Sequence, residues 1–320
     1  MFLYKLIVPL LLFVAIATSC GQITPTNSNS AAAQGGSVEP VLAFSETTVG
    51  RNRIALGLIH NGTPVNDPGA KVHVRFYDLE DTNPKPQGDS DAKYYGQGLP
   101  IGYYVTYSTL DKPGNWGIEI EAQLTGQAQP SRSRFQLEVK PKSDVPNIGD
   151  HAISVKTLTV KDVSDPAQLA STSKPDPAMY QISLDQALQS GKPTALLFAT
   201  PGFCQTATCG PSLQVMEGLQ KRYGDKINFI HVEVYKYPFA ESFQKITQLA
   251  NQARKENRGL TPEEQRSGYA EPMLAWGLVT EPWLYLIDTK GIIAARFEGG
   301  ITQEEIGPAL DNLIAGKPIL

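Results

Sequence analysis

The sequence predicts two folded parts: an all-β sandwich, then an α/β domain whose mixed central sheet is flanked by helices. Three observations carry this. Short runs with period-two apolar patterning fill residues 38–142, with turn signals between them. From residue 181 onward, apolar strands alternate with segments of helical periodicity. Where the first of those strands meets its helix stands FATPGFCQTATCGPS, Phe198 to Ser212, which holds two of the three cysteines in the chain.

The 320 residues suffice for two domains, and 41% hydrophobic with 19% charged residues suits globular rather than disordered chains. A net charge of −4 without any basic cluster excludes the basic face that a nucleic-acid partner would need. The start reads as a targeting segment. After MFLYK comes LIVPLLLFVAIA, an apolar run of twelve residues that is too short to span a bilayer but suits a secretory signal core. It ends in Ala17-Thr18-Ser19-Cys20-Gly21. Small residues followed by cysteine resemble the lipobox of bacterial lipoproteins, although Ala17 stands where that box usually has Leu. The resemblance implies a signal peptide over 1–19, lipidation of Cys20, and a membrane anchor on the extracytoplasmic face of a bacterial envelope. Residues 20–37, rich in Ser, Asn, Ala and Gly, then form a flexible tether. Outside the cytoplasm thiols can oxidise, and with Cys20 acylated two cysteines remain to pair.

Within the β part, RIALGLIHN, AKVHVRFYDL, YYVTYSTL, NWGIEIEAQL and SRFQLEVKP read as strands. Ile118, Ile120, Ala122 and Leu124 share one face, opposite Glu119, Glu121 and Gln123; Phe135, Leu137 and Val139 repeat the pattern. Asn61-Gly62, Asp67-Pro68-Gly69 and Lys112-Pro113-Gly114-Asn115 mark turns. The Pro-Gly-x-Trp element ending at Trp116 resembles small bacterial immunoglobulin-like domains, with Trp116 as a core plug. His60 and His73 have no Met or Cys beside them and read as surface or edge residues.

Residues 143–180 form a Pro-, Asp- and Ser-rich join, expected to wrap over the next domain with one strand over 152–160. In the domain spanning 181–320, Ser183 to Gln186 has the form of a capping box opening a helix that runs to Gly191. Strands follow over 194–200, 227–235, 283–288 and 292–298. Helices are expected after the cysteines (Leu213, Met216, Leu219 and Tyr223 in phase), over 239–257, and over 301–314 with Thr302 as N-cap.

Strand, cysteine loop, helix, strand, helix, then Thr280-Glu281-Pro282 entering two strands and a last helix is similar to the thioredoxin fold. The resemblance covers residues 181–320 and implies that Pro282 is the cis-proline standing beside the cysteines. The Cys-x4-Cys spacing departs from the usual Cys-x2-Cys. Five helical steps would separate the sulfurs by about 140° in azimuth, so Cys204 must lie in a loop that folds back. Gly202 and the small polar run after Cys204 permit this, and Gly210-Pro211 suits a helix starting at Cys209. Two registers compete: Cys209 to Ser212 as the family motif with Ser212 replacing its second thiol, or Cys209 as the second thiol with Cys204 displaced by two residues. The run from Cys209 to the next strand favours the second, in which Cys204 attacks and Cys209 resolves.

The resemblance implies a thiol–disulfide oxidoreductase acting on disulfide- or thiol-bearing extracytoplasmic proteins, with Cys204, Cys209 and Pro282 as site residues and no cofactor. Two departures weaken a general reductase: Leu197 occupies the place of the family's buried acid, and Phe203 rather than Trp precedes Cys204. Two other readings stay open. The pair could be a structural staple in a non-enzymatic surface binding protein, or, with His231, part of a copper-handling site. Tyr235, Tyr237 and Trp276 either frame a groove or fill core, and Met216 and Met273 read as packing residues.

Overall fold

Strands β1 (Val38–Leu42), β2 (Thr47–Thr48), β3 (Gly50–His60), β4 (Thr63–Pro64), β5 (Lys71–Asp78), β6 (Pro86–Tyr94), β7 (Tyr104–Leu110), β8 (Gly114–Gln123) and β9 (Ser131–Lys140) build the first part of this computed structural model. The structure describes residues 37–97, 99, 101–204 and 208–319. The expected signal peptide, Cys20 and nearly all of the tether lie outside them, and all described residues belong to one compact unit.

The nine strands form one curled sheet in the order β1-β3-β7-β6-β5-β8-β9-β2, with β4 beside β3. The expected pair of separate sheets is joined because β6 serves both layers. Its Gly88–Ala92 stretch pairs with β5, and Lys93 and Tyr94 pair with β7. That strand carries no apolar alternation, which is why the sequence pattern does not reveal it. Between the layers, Ile54, Leu56 and Leu58 face Val72, Val74, Phe76, Ile118, Ile120 and Val139. Trp116 is fully buried there and donates from Nε1 to the Lys112 carbonyl at 3.2 Å. Glu119, on the opposite face of β8, is buried as well, held by Arg75 and Arg134.

The join is ordered and wraps the second part, but residues 152–160 form no strand. Their backbone is satisfied one group at a time instead of by a ladder. Ala152 N–H donates to Gly291 O at 2.8 Å, Thr157 N–H to Ser183 Oγ at 2.8 Å, and Val160 N–H to Tyr180 O at 3.0 Å. Leu169, Ala170, Met179 and Tyr180 enter the core from this segment. The first helix is shorter than its capping pattern suggests. Helix α1 covers only Leu184–Ala187, Ser183 makes no side-chain cap, and Thr157 Oγ1 accepts the Leu184 N–H in its place.

The remaining elements are β10 (Thr194–Ala199), α2 (Cys209–Tyr223), β11 (Asn228–Glu233), α3 (Phe239–Lys255), α4 (Pro262–Arg266), α5 (Glu271–Ala275), β12 (Trp283–Ile287), β13 (Ile293–Glu298) and α6 (Gln303–Ile314). The sheet order is β11-β10-β12-β13, with β10 parallel to β11 and antiparallel to β12, and β12 antiparallel to β13. This is the mixed sheet flanked by helices that the sequence predicts, and β10 is buried along its whole length. Alternate residues feed opposite cores. Ala195, Leu197 and Ala199 pack with α2 and α6, while Leu196 and Phe198 pack with α1, α3 and Trp276. Thr302 caps α6 by accepting from Glu305 N–H at 3.3 Å.

The two parts are joined by buried polar contacts. Arg53 of β3 forms a bidentate pair with Glu305 of α6, both bonds 2.8 Å, and donates to Glu298 O at 2.6 Å and Gly300 O at 2.9 Å. Burial would lower the Arg53 pKa, but Glu305 outweighs it and holds the guanidinium charge more firmly than usual. Ser45 N–H donates to Glu298 Oε2 at 2.7 Å, and Glu298 Oε1 accepts from Thr280 at 2.8 Å.

Candidate thiol site

The fully buried strand β10 ends at Ala199, and the chain turns through Thr200 to Phe203 before reaching Cys204. This turn is pinned from the join. Ser171 Oγ accepts the Gly202 N–H at 2.9 Å, and Ser171 donates to Glu233 through its N–H at 2.8 Å and its hydroxyl at 2.7 Å. Gly202 is required at its position because a Cβ there would lie 2.5 Å from the Ser171 carbonyl oxygen. Phe203 stacks on Phe243 of α3 at 5.0 Å between centroids and meets the Tyr235 ring edge-on. That pairing anchors the turn apolarly just before the first cysteine.

Cys204 is half-buried and Cys209 fully buried, and both are thiols. Cys204 Sγ lies 3.2 Å from the backbone nitrogen of Cys209, which opens α2 and donates its N–H to the sulfur. The intervening residues 205–207 lie outside the described set. An N–H at a helix start, with the dipole behind it, favours a sulfur carrying negative charge. The Cys209 thiol is held protonated well above the ordinary thiol range, first by its hydrogen bond to Cys204, then by burial and by the Cys204 charge. The two sulfurs thus differ in surroundings: Cys204 is half-buried and receives the Cys209 N–H, while Cys209 is buried and held protonated.

Pro282 is buried, and the Glu281–Pro282 peptide bond is cis, as is Tyr237–Pro238. The loop is tied to the β-rich part through Thr280 and Glu298, and Trp283 Nε1 donates to Thr280 Oγ1 at 2.9 Å. Glu281 lies within electrostatic reach of both sulfurs. Burial, the Cys204 charge and Glu233 together raise its pKa from 4.5 to about 7. Glu233 is also buried, and burial raises its pKa too, against the bonds from Thr200, Ser171 and Val234. Leu197, at the place of the family's buried acid, lies in the apolar core. The acids come from β11 and the Pro282 loop instead, and residue type beside the proline was the signal available for Glu281.

The other candidates fall elsewhere. His231 is buried, and both ring nitrogens are engaged: Nε2 donates to Ala199 O at 3.0 Å, so Nδ1 accepts from Tyr180 Oη at 2.6 Å. Burial lowers its pKa to about 4. His60 and His73 are half-exposed, and His73 is paired with Asp89 and Asp91. Among the described residues no group of three or more His, Cys, Asp or Glu is arranged for a metal ion. Met216, Met273 and Trp276 are core residues, Tyr235 is buried, and Tyr237 is exposed. Ser212 is fully buried one turn into α2. No helix among the described residues is long and apolar enough to cross a membrane.

Solved structures similar to parts of the chain fall into two groups. A putative thiol:disulfide interchange protein DsbE from Chlorobium tepidum is 17% identical over 53% of this chain and 97% of its own, with a TM-score of 0.32. A thioredoxin family protein from Chlorobium tepidum TLS is 15% identical over 52% and 98%, with a TM-score of 0.31. The fibronectin type-III domain of a human protein is 20% identical over 36% and 94%, with a TM-score of 0.20. No protein-family model and no curated protein matches the chain.

Proposed function

We propose that this chain is a membrane-anchored, extracytoplasmic thiol–disulfide oxidoreductase whose reacting groups are Cys204 and Cys209. The observation that carries the reading is the Cys209 N–H aimed at Cys204 Sγ at 3.2 Å, with the Cys209 thiol buried behind it. Cys204 thiolate attacks one sulfur of a partner disulfide, forming a mixed disulfide and releasing the partner's other sulfur as a thiolate, which takes up a proton. Once Cys204 is bonded, its charge no longer holds the proton on Cys209. Glu281, whose pKa burial raises even without that charge, accepts that proton. Cys209 then attacks Cys204 Sγ, closing the intramolecular disulfide and expelling the partner's second thiolate. Two electrons pass to the partner; the reverse sequence oxidises a partner dithiol. The anchor rests on the lipobox-like run ending at Cys20, and the partners are disulfide- or thiol-bearing proteins of the envelope.

Expression of Cys209→Ser in the native host tests this. Expected is a mixed disulfide that survives acid quenching, runs as a higher band without reductant, and vanishes when Cys204→Ser is added. Absence of the band, or its persistence without Cys204, overturns the proposal.

A further inference from the structure

The Pro282 loop is clamped at both ends, and one clamp reaches outside its own part of the chain. At the far end, Trp283 opens β12 and pairs with Phe198, the penultimate residue of β10, from which the chain turns toward Cys204. The Pro282 carbonyl accepts the Gly299 N–H at 2.9 Å. At the near end, the Thr280 hydroxyl donates to Glu298 Oε1 at 2.8 Å and accepts from Trp283 Nε1 at 2.9 Å. Glu281 and Pro282 stand between these bonds.

Glu298 is held in turn by the β-rich part. It lies opposite Trp283 in the β12–β13 ladder, and its second oxygen, Oε2, accepts the Ser45 N–H at 2.7 Å. Its backbone carbonyl accepts from Arg53 of β3 at 2.6 Å. The segment from Ala43 to Glu46 follows the end of β13 closely. Glu46 Oε1 accepts from Arg296 at 2.9 Å, and Gly299, at φ +79°, sits where a Cβ would lie 2.9 Å from the Ala43 carbonyl oxygen. One carboxylate thus accepts two donors, one from the β-rich part and one from the Pro282 loop, which its pair of oxygens can do and an apolar side chain could not.

We propose that Glu298 is a positioning residue of the thiol site: it ties Thr280 to the Ala43–Glu46 segment and so fixes where Glu281 and Pro282 stand relative to the cysteine turn. The β-rich part is then a brace of the site and not a spacer. The consequence for thiol exchange rests on the oxidoreductase reading, whereas the brace itself rests on the hydrogen bonds.

The test uses the whole reduced chain with oxidised glutathione as the probe. Cys204 thiolate attacks one glutathione sulfur, forming a mixed disulfide and releasing one glutathione thiolate. Cys209, losing its proton to Glu281, then closes the intramolecular disulfide and expels the second thiolate. Acid quenching and mass measurement separate the two steps. In Thr280→Val or Glu298→Met the second step should slow roughly two- to tenfold, the size of one hydrogen bond, and the Gly299 amide should exchange with solvent faster by a similar factor. Thr280→Ser keeps the hydroxyl and should restore both readouts. Because both substitutions break the same bond, the double variant should be no slower than the slower single one. Variants that lower only the urea midpoint overturn the proposal, as does a Thr280→Ser variant as slow as Thr280→Val, or losses that multiply in the double variant. If the unmodified chain forms no mixed disulfide with glutathione, the oxidoreductase reading falls, while Gly299 exchange in the same variants still decides whether Glu298 braces the loop.

Discussion

Replacing Glu281 with Gln should make the protein more stable, and only above a definite pH. The carboxyl holds its proton to about pH 7 in the fold, against 4.5 ordinarily. At about 1.4 kcal/mol per pH unit between those values, charging it costs the folded state roughly 3 kcal/mol. Below pH 4.5 the acid is neutral in folded and unfolded chains alike and the cost is absent. As pH rises through 7, the folded state loses that advantage. His231 tilts the curve the other way. Its pKa is lowered by burial from 6.5 to about 4, so the unfolded chain takes up a proton the folded one refuses, and stability falls as pH drops from 6.5 toward 4. The two slopes oppose each other between about pH 4.5 and 6.5 and flatten the wild-type curve there. Glu281→Gln removes one of them. Urea unfolding of the reduced chain across this range should show the two proteins alike near pH 4.5 and the variant ahead by roughly 3 kcal/mol near pH 8. Because the Cys204 charge contributes to the shift, the gap should narrow in a Cys204→Ser background. Parallel curves from about pH 4.5 to 8 would refute the reasoning and remove Glu281 as the proton acceptor.

Two further substitutions probe the scaffold. Gly202→Ala forces a methyl against the Ser171 carbonyl at 2.5 Å and should cost about 1–3 kcal/mol in urea midpoint measurements while slowing disulfide exchange, since the same turn carries Cys204; an unchanged midpoint would mean the turn is free to move. Arg53→Met strands the buried Glu305 carboxylate and should cost about 3–5 kcal/mol, whereas Arg53→Met with Glu305→Leu should recover most of it. Equal losses in the single and double variants would show that the pair stabilises by its own attraction and not by avoiding a stranded charge.

Where burial alternates with a fixed period, the sequence was readable. The strands built on Ile118, Ile120 and Ala122, and the helix face of Leu213, Met216, Leu219 and Tyr223, are buried where their spacing places them. What escaped was structure satisfied by other means. The polar strand β6 is held by backbone ladders on both sides, residues 152–160 are extended without a ladder, and the start of α1 is capped by Thr157, remote in sequence. The two short helices α4 and α5 are also too brief for periodicity to register.

The same distinction governs the site. The glycine at 202 and the Gly210-Pro211 pair pointed to a tight turn before Cys204 and a helix opening at Cys209, which local geometry alone could anticipate. The groups that tune the sulfurs are not local to it. Glu233 comes from the neighbouring strand and Glu281 from the Pro282 loop. A missing acid at Leu197 reads as a missing proton route only if the acid must lie on β10. The cores on both faces of that strand need apolar residues along its length, since an acid there would be buried without a partner. Glu281 on the Pro282 loop is half-buried and interacts electrostatically with both sulfurs, and its charge is tolerated near neutral pH. Under the proposed reading, Leu197 and Glu281 are then one arrangement: the strand keeps its packing, and the proton goes to the Pro282 loop.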